Sequence, residues 1–219
     1  MGKILLKNTG RIPEPTLRRL PWYLSTVKIL QTEGEVYVSS TRIAKATGME
    51  ASQVAKDLSY VDLTGRTRIG YEITSMVATL ESFLGFTHLH KAYLFGVGSL
   101  GGALLQDSGL KHFGLYIVGA FDINPAIVGT SINGIPIYHT DEYEKRMAID
   151  QVNIGVLTVP ISIAQEMTDK MVAGGIRGIW NFTPYRIHVP DTCMVQNTSL
   201  YASLAVMYNR LLHPEKENK

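Results

Sequence analysis

The stretch YLFGVGSLGGALL, Tyr93 to Leu105, decides how the chain is read. A short apolar run leads straight into Gly96-Val97-Gly98-Ser99-Leu100-Gly101, a Gly-x-Gly-x-x-Gly string where a strand meets a helix. That is the context a dinucleotide fingerprint requires. Gly96 permits the tight turn, Gly98 lets the backbone approach a pyrophosphate, and Gly101 allows helix and strand to pack closely. Free N–H groups at the helix start then face the anion. The next apolar run, LYIVGAFDIN, ends in Asp122, 26 residues after Gly96. A carboxylate there accepts hydrogen bonds from both adenosine ribose hydroxyls and repels a 2′-phosphate. No Arg or Lys follows it in FDINPAIVG, so the expected cofactor is NAD(H) rather than NADP(H).

Downstream, strand and helix patterns alternate. KAYLFGVG, LYIVGAFDIN, VNIGVLTVP and IRGIWNFT read as strands, and SLGGALLQDSG, TDEYEKRMA and SIAQEMTDKMVAGG as helices. RIHVP and CMVQ are short strand candidates, and SLYASLAVMYNRLL is a closing helix. Such alternation predicts a parallel, doubly wound sheet. Ligands of these sheets bind at the carboxyl edge of the strands. The turns at Thr158-Val159-Pro160 and at Asn181 to Pro184 fall on that edge and are expected to border the nicotinamide.

Upstream lie some ninety residues unlike the start of a dehydrogenase. Leu17, Leu20, Leu24, Val27 and Leu30 recur at helical spacing, with Pro21 predicting a kink or broken start. VYVSS reads as a short strand, with Ser39 or Ser40 placed to cap the next helix. STRIAKATG is a two-turn helix closed by Gly48, and EASQVAKDLSYV is a second helix with Val54, Leu58 and Val61 inward. TGRTRIGYEIT has turn chemistry at Thr64-Gly65 and suggests a β-wing, and SMVATLESFLG closes the segment. Two short helices followed by a wing match helix-turn-helix logic. The second helix would present Ser52, Gln53, Lys56 and Ser59 to the major groove, with Arg66 and Arg68 reaching phosphate or the minor groove. A small helical packing domain with a wet polar face fits the same pattern.

Composition narrows the class. The chain has 219 residues, 45% hydrophobic and 18% charged, enough to bury a sizeable core. Residues 1–85 carry a net charge of +3 and residues 86–219 of −1, a mild bias compatible with nucleic acid. No apolar run approaches the roughly 20 residues of a membrane span. The opening MGKILLK reads as neither a signal peptide nor a lipid-anchor site. Cys193 is the only cysteine, which fits a reducing cytoplasm and reads as a small buried apolar residue. His88, His90, His112, His139 and His213 fall in expected loops, turns or tails, while His188 alternates with apolar residues. The sequence pairs no His with a carboxylate persuasively, no Tyr-x-x-x-Lys pair lies at the right place, and the segment after the last main strand is short for a substrate domain. An enzyme is therefore not expected. A small NAD-dependent oxidoreductase remains the alternative of another class.

Several strings resemble the bacterial redox-sensing transcriptional repressors of the Rex family, in order and almost end to end. They are IPEPTLRRLPWYL, VSSTRIAKATGMEASQVAKDLSY, GVGSLGGALL, AFDINPAIVG, INGIPI, TVPISIAQEMTDKMVAGGIRGIWNFTP and VPDTCMV. The resemblance implies an α/β protein in three parts: a winged helix-turn-helix over 1–85, a Rossmann-like NAD(H)-binding domain over 86–196, and a C-terminal helix over 197–219. In the family that helix is exchanged in a homodimer, which binds a palindromic operator and releases it when NADH displaces NAD⁺. Carried over by position, Gly96, Gly98, Gly101 and Asp122 hold the adenosine diphosphate, and the turns at Pro160 and Asn181 border the nicotinamide. Gln53, Lys56 and Ser59, flanked by Ser52 and Tyr60, match the DNA-facing helix, and Ser39 and Ser40 the phosphate-contacting turn.

The departures are as specific. Ala55 and Thr67 stand where the family has arginines in the recognition helix and wing, predicting an altered operator preference. Ser25, Asp107 and Ser199 stand at positions where the family often has Arg, Tyr and Asp, residues of a polar relay between NADH and the DNA-binding domains. Two serines cannot form a charge-assisted pair, so NAD(H) binding is expected to reach DNA by another contact or more weakly. A repressor that reads another nucleotide, such as a CoA-like one, or none, is the remaining alternative within regulation.

Overall fold

The computed structural model describes residues 12–213, so the opening residues read against a signal peptide or lipid anchor lie outside them. The chain divides between His88 and Leu89 into two compact units.

The first unit is built on α1 (Glu14–Thr32), which buries Leu20, Tyr23, Leu24, Val27 and Leu30 on one face. It runs through Pro21 as one helix instead of starting late. Losing one backbone donor there costs about 3 kcal/mol. Burying each large apolar side chain returns about 1.5–3 kcal/mol, so four of them outweigh it. β1 (Tyr37–Val38) pairs antiparallel with β2 (Tyr71–Glu72). Between them, α2 (Ser40–Thr47) begins where Ser39 Oγ accepts the Arg42 N–H at 3.1 Å, and ends at Gly48 in the left-handed conformation. α3 (Ala51–Ser59) follows, with Val54, Leu58 and the trailing Val61 buried. The wing turns later than expected. Arg66 and Gly70 exchange backbone hydrogen bonds of 2.8 Å, which places the apex at Thr67-Arg68-Ile69 rather than Thr64-Gly65. α4 (Ile73–Phe83) starts two residues early because Glu72 accepts the N–H groups of Thr74 and Ser75.

The second unit holds β3 (His90–Phe95), α5 (Ser99–Gln106), α6 (Gly109–His112), β4 (Leu115–Asp122) and β5 (Ser131–Ile132). β6 (Ile135–His139), α7 (Tyr143–Asp150), β7 (Ile154–Leu157), α8 (Ala164–Ala173), β8 (Gly178–Asn181), β9 (Met194–Asn197) and α9 (Leu200–Leu212) complete it. The sheet order is β5-β6-β4-β3-β7-β8-β9, parallel except for β5 against β6. With β5 set aside, the parallel strands stand in the doubly wound order 3-2-1-4-5-6, whose switch point lies between β3 and β7. Apolar clusters cover both faces: Phe95, Phe121 and Tyr143 with α8 on one, Leu94, Ala120 and Val156 with α5 on the other.

Three local readings change and one holds. The INGIPI segment forms the β5–β6 hairpin, two strands that the alternation pattern passes over. RIHVP is not a strand, so His188 lies in irregular chain, its N–H donated to Gln165 Oε1. His90 opens β3, His139 closes β6 and His112 lies in α6, not in loops. Cys193 is buried, as expected for a small apolar residue, and burial pushes its thiol up.

Candidate nucleotide cleft and nucleic-acid interface

At the switch point the chain leaves β3 and turns through Gly96, whose φ of +94° favours glycine. The loop is then held by backbone and one hydroxyl. Gly96 N–H donates to Phe121 O, and Thr158 Oγ1 donates to Phe95 O at 3.0 Å and Gly96 O at 2.7 Å. A Cβ on Gly101 would lie 2.1 Å from Gly96 O, so this glycine lets α5 start directly against the loop. A Cβ on Gly98 would meet nothing within 4 Å, and no side chain caps α5. The first N–H groups of that helix are thus not taken up by a capping side chain, and a helix start of this kind favours an anion.

Asp122, at the end of β4, is tied to this loop. Its Oδ2 accepts the Val97 N–H at 2.6 Å and its Oδ1 the Asn124 N–H at 2.8 Å. Each oxygen keeps lone pairs for further donors. A cleft of about 610 Å³ opens over these residues, lined largely by apolar side chains. Gly96, Val97, Gly98, Asp122, Thr158, Val159 and Pro160 line it, which brings most of the expected residues together. Ser99, Leu100 and Gly101 sit just beside it on the first turn of α5.

Asn181 plays a different part. It is 1% exposed, and its amide nitrogen donates to Tyr185 O and Asn197 Oδ1, both at 2.8 Å. Its Oδ1 accepts the N–H and hydroxyl of Thr183. Asn181 therefore braces the turn that carries the lining residue Pro184, and does not itself line the cleft. Sequence reasoning missed Ile123, Asn124, Ile127, Ile161, Met167 and Tyr201. The first four follow strand ends, so the carboxyl-edge rule could have found them. Tyr201, on the first turn of α9, carries no sequence signal.

A ligand with an adenosine diphosphate fits this cleft. Backbone N–H groups and an open Gly98 suit the pyrophosphate, a carboxylate at the β4 end suits the ribose, and apolar walls suit the rings.

In the first unit, a second concave surface brings together Ser39, Ser40, Arg66, Arg68, Ile69 and Tyr71. The two parts of the expected phosphate contact, the α2 turn and the wing, are thus neighbours. A Cβ on Gly70 would lie 2.3 Å from Val38 O, so the wing base packs directly on β1. Arg68 holds a left-handed φ of +65° at the apex. On α3, Ser52, Lys56 and Ser59 are exposed, Ser59 Oγ donating to Lys56 O, while Gln53 and Ala55, and Tyr60 just past its end, are half-buried.

Beneath α3 sits Asp57, with no exposed surface. Its Oδ1 accepts from Thr16 Oγ1 at 2.9 Å, Arg19 Nη2 at 2.8 Å and Gln53 Nε2 at 2.9 Å. Its Oδ2 accepts from Arg19 Nε at 2.6 Å and Tyr23 OH at 2.8 Å. Burial alone pushes the carboxyl up, but the bonds from Arg19, Tyr23, Thr16 and Gln53 outweigh it and hold Asp57 below the usual carboxylate range. Burial and the bond to Asp57 push the Tyr23 phenol up to about 12. Gln53, expected only as a DNA-facing side chain, also belongs to this network.

The three relay positions make local bonds. Ser25 Oγ donates to Pro21 O, Asp107 Oδ1 accepts the Gly109 N–H, and Ser199 Oγ caps α9 by accepting the Ala202 N–H.

Comparisons with known proteins cover both units. Residues 87–185 match a family model described as CoA binding domain, and residues 11–59 one described as putative DNA-binding protein N-terminus. A redox-sensing transcriptional repressor Rex of Bacteroides fragilis is 66% identical over 216 residues, 99% of this chain and 98% of the relative. One of Treponema denticola is 40% identical over 198 residues, 89% of this chain and 94% of the relative. A crystal structure of RSP with β-NAD⁺ and operator DNA superposes with a TM-score of 0.89 at 29% identity, over 94% of this chain and 95% of that one. RSP with β-NADH superposes at 0.84, and RSP is described as a Rex-family repressor. With relatives this similar along nearly its whole length, the chain belongs to the Rex family of redox-sensing transcriptional repressors.

Proposed function

We propose that this protein is a transcriptional repressor that senses the NADH/NAD⁺ ratio, binding a palindromic operator as a homodimer and releasing it when NADH binds. The observation that carries this reading is the joining, in one chain, of a glycine-loop cleft at a sheet switch point to a winged helix-turn-helix. Gly96, Val97, Gly98, Ser99, Leu100 and Gly101 take the pyrophosphate and Asp122 the adenosine ribose. Thr158, Val159 and Pro160 border the nicotinamide, with Asn181 bracing that rim. Ser39, Ser40, Ser52, Gln53, Lys56, Ser59, Tyr60, Arg66 and Arg68 face the duplex.

The cofactor is a signal here and not a reagent. NADH must bind the DNA-incompetent dimer more tightly than the competent one, since equal affinity for both shifts nothing. None of the residues of α9 is buried, although Leu200, Leu204, Val206, Met207, Tyr208 and Leu211 are apolar. That supports a helix exchanged between protomers. Ser25, Asp107 and Ser199 hold local partners in place of a charged relay, so coupling between NADH and DNA is weaker or follows another route.

Fluorescence anisotropy on an operator duplex, with NAD⁺ and NADH titrated separately, tests the proposal. NADH is expected to release the duplex and NAD⁺ to leave it bound. Complete release at low NADH, as steep as in relatives with the Arg, Tyr and Asp relay, would remove the weak-coupling part. The match of residues 87–185 to a CoA-binding model favours one second reading, a CoA-like effector. Adding coenzyme A to the same titration decides it, and hydride transfer to a panel of small carbonyls would revive an oxidoreductase.

A further inference from the structure

The buried carboxylate under α3 bears on how DNA is read. Four of the five bonds onto Asp57 come from α1, through Thr16, Arg19 and Tyr23. The fifth comes from Gln53, one turn earlier on α3 itself. The Arg19 guanidinium grips Asp57 with two nitrogens, which keeps the carboxylate ionised, and an ionised carboxylate only accepts hydrogen bonds. Gln53 must therefore turn its amino end inward. A glutamine free on a helix surface flips its amide readily and loses rotamer freedom on binding. Here the buried network has already removed that freedom.

We propose that Gln53 reads one base pair in each operator half-site with an amide whose sense is set in advance, and that Asp57 is the positioning residue that sets it. With its amino end on Asp57, Gln53 offers carbonyl Oε1 to the groove. That oxygen takes a hydrogen bond from the exocyclic amine of adenine or cytosine. Ordering the side chain before DNA arrives lowers the cost of binding the matching base. The inference rests on the DNA-binding reading above.

The full-length protein first selects its own duplex from a randomised pool, and competition binding then scores each base-pair change. Wild type is expected to discriminate at the Gln53 position by roughly 5- to 150-fold. Gln53→Met keeps the length of the side chain and removes the amide. It is expected to lose that discrimination at one base pair per half-site and keep the rest of the profile. Asp57→Asn lets the amide turn either way and is expected to flatten the same position. Because Asp57→Asn deprives Arg19 of its counter-charge and can unfold the unit, a second measurement uses wild type alone. A duplex whose base lacks only the exocyclic amine, purine for adenine or 2-pyrimidinone for cytosine, is expected to bind as weakly as Gln53→Met binds the natural duplex. Combining the two should cost nothing more. Gln53→Met binding every duplex equally more weakly, or with an unchanged profile, overturns the inference. Selection of no duplex at all overturns the DNA-binding reading instead.

Discussion

The two units hold their candidate sites by opposite physics. In the first, exposed side chains stand on a helix pinned from below by one buried charge with five donors. In the second, the glycine loop at the floor of the cleft is mostly backbone, shaped by Gly96 and Gly101 and tied by Thr158 and Asp122. A side-chain surface can change what it reads by exchanging residues. A backbone cradle tolerates no added atom where its chains touch, at Gly96 and Gly101. The first unit should therefore be fragile at its support and adaptable at its surface, and the second fragile at its surface.

The largest effect expected on this contrast comes from Asp57→Ala. Removing one partner of a buried ion pair costs about 3–5 kcal/mol, and chemical denaturation should show the first unit losing that stability. A loss below 1 kcal/mol would mean that the buried charge is not the support. Gly101→Ala comes next. Its methyl would sit 2.1 Å from Gly96 O, overpacking worth about 1–3 kcal/mol. NADH fluorescence titration should show binding weaker by roughly 5- to 150-fold. DNA binding without ligand should survive, and its parallel loss would break the separation of the two sites.

The network also carries a pH signature. The Tyr23 phenol is raised above its unfolded value of about 10, so its contribution is fully present below pH 10 and lost as pH rises to about 12. Asp57 is lowered, so its contribution is present above the unfolded carboxylate pKa and lost only as pH falls through the lower folded value. Denaturation midpoints between pH 9 and 12 should fall for wild type and stay flatter for Tyr23→Phe. Asp122→Asn loses a charge-assisted acceptor for the Val97 N–H. It should weaken NADH by about 1–2 kcal/mol while narrowing the preference over NADPH, read by calorimetry. The smallest effects belong to Arg66→Ala and Arg68→Ala. Each should lower the slope of log affinity against log salt by about one and weaken all duplexes alike.

Much of this was legible before folding. Spacing placed α1, α2, α3 and the βα alternation, because helix and strand periodicity and capping by Ser39 and Gly48 are local. The fingerprint placed the loop, because a turn that only glycine can make is written in the residue itself. Other features depended on distant partners. Pro21 inside an unbroken α1, the role of Asn181 as a brace and the inward amide of Gln53 all follow from contacts across the fold. Tyr201 reaches the cleft from a helix some eighty residues beyond Asp122. Local sequence therefore determined the kind of element and the chemistry available at each turn. The tertiary structure decided which polar groups are used up inside and which remain to meet a ligand, because burial makes every donor and acceptor find a partner wherever the fold brings one.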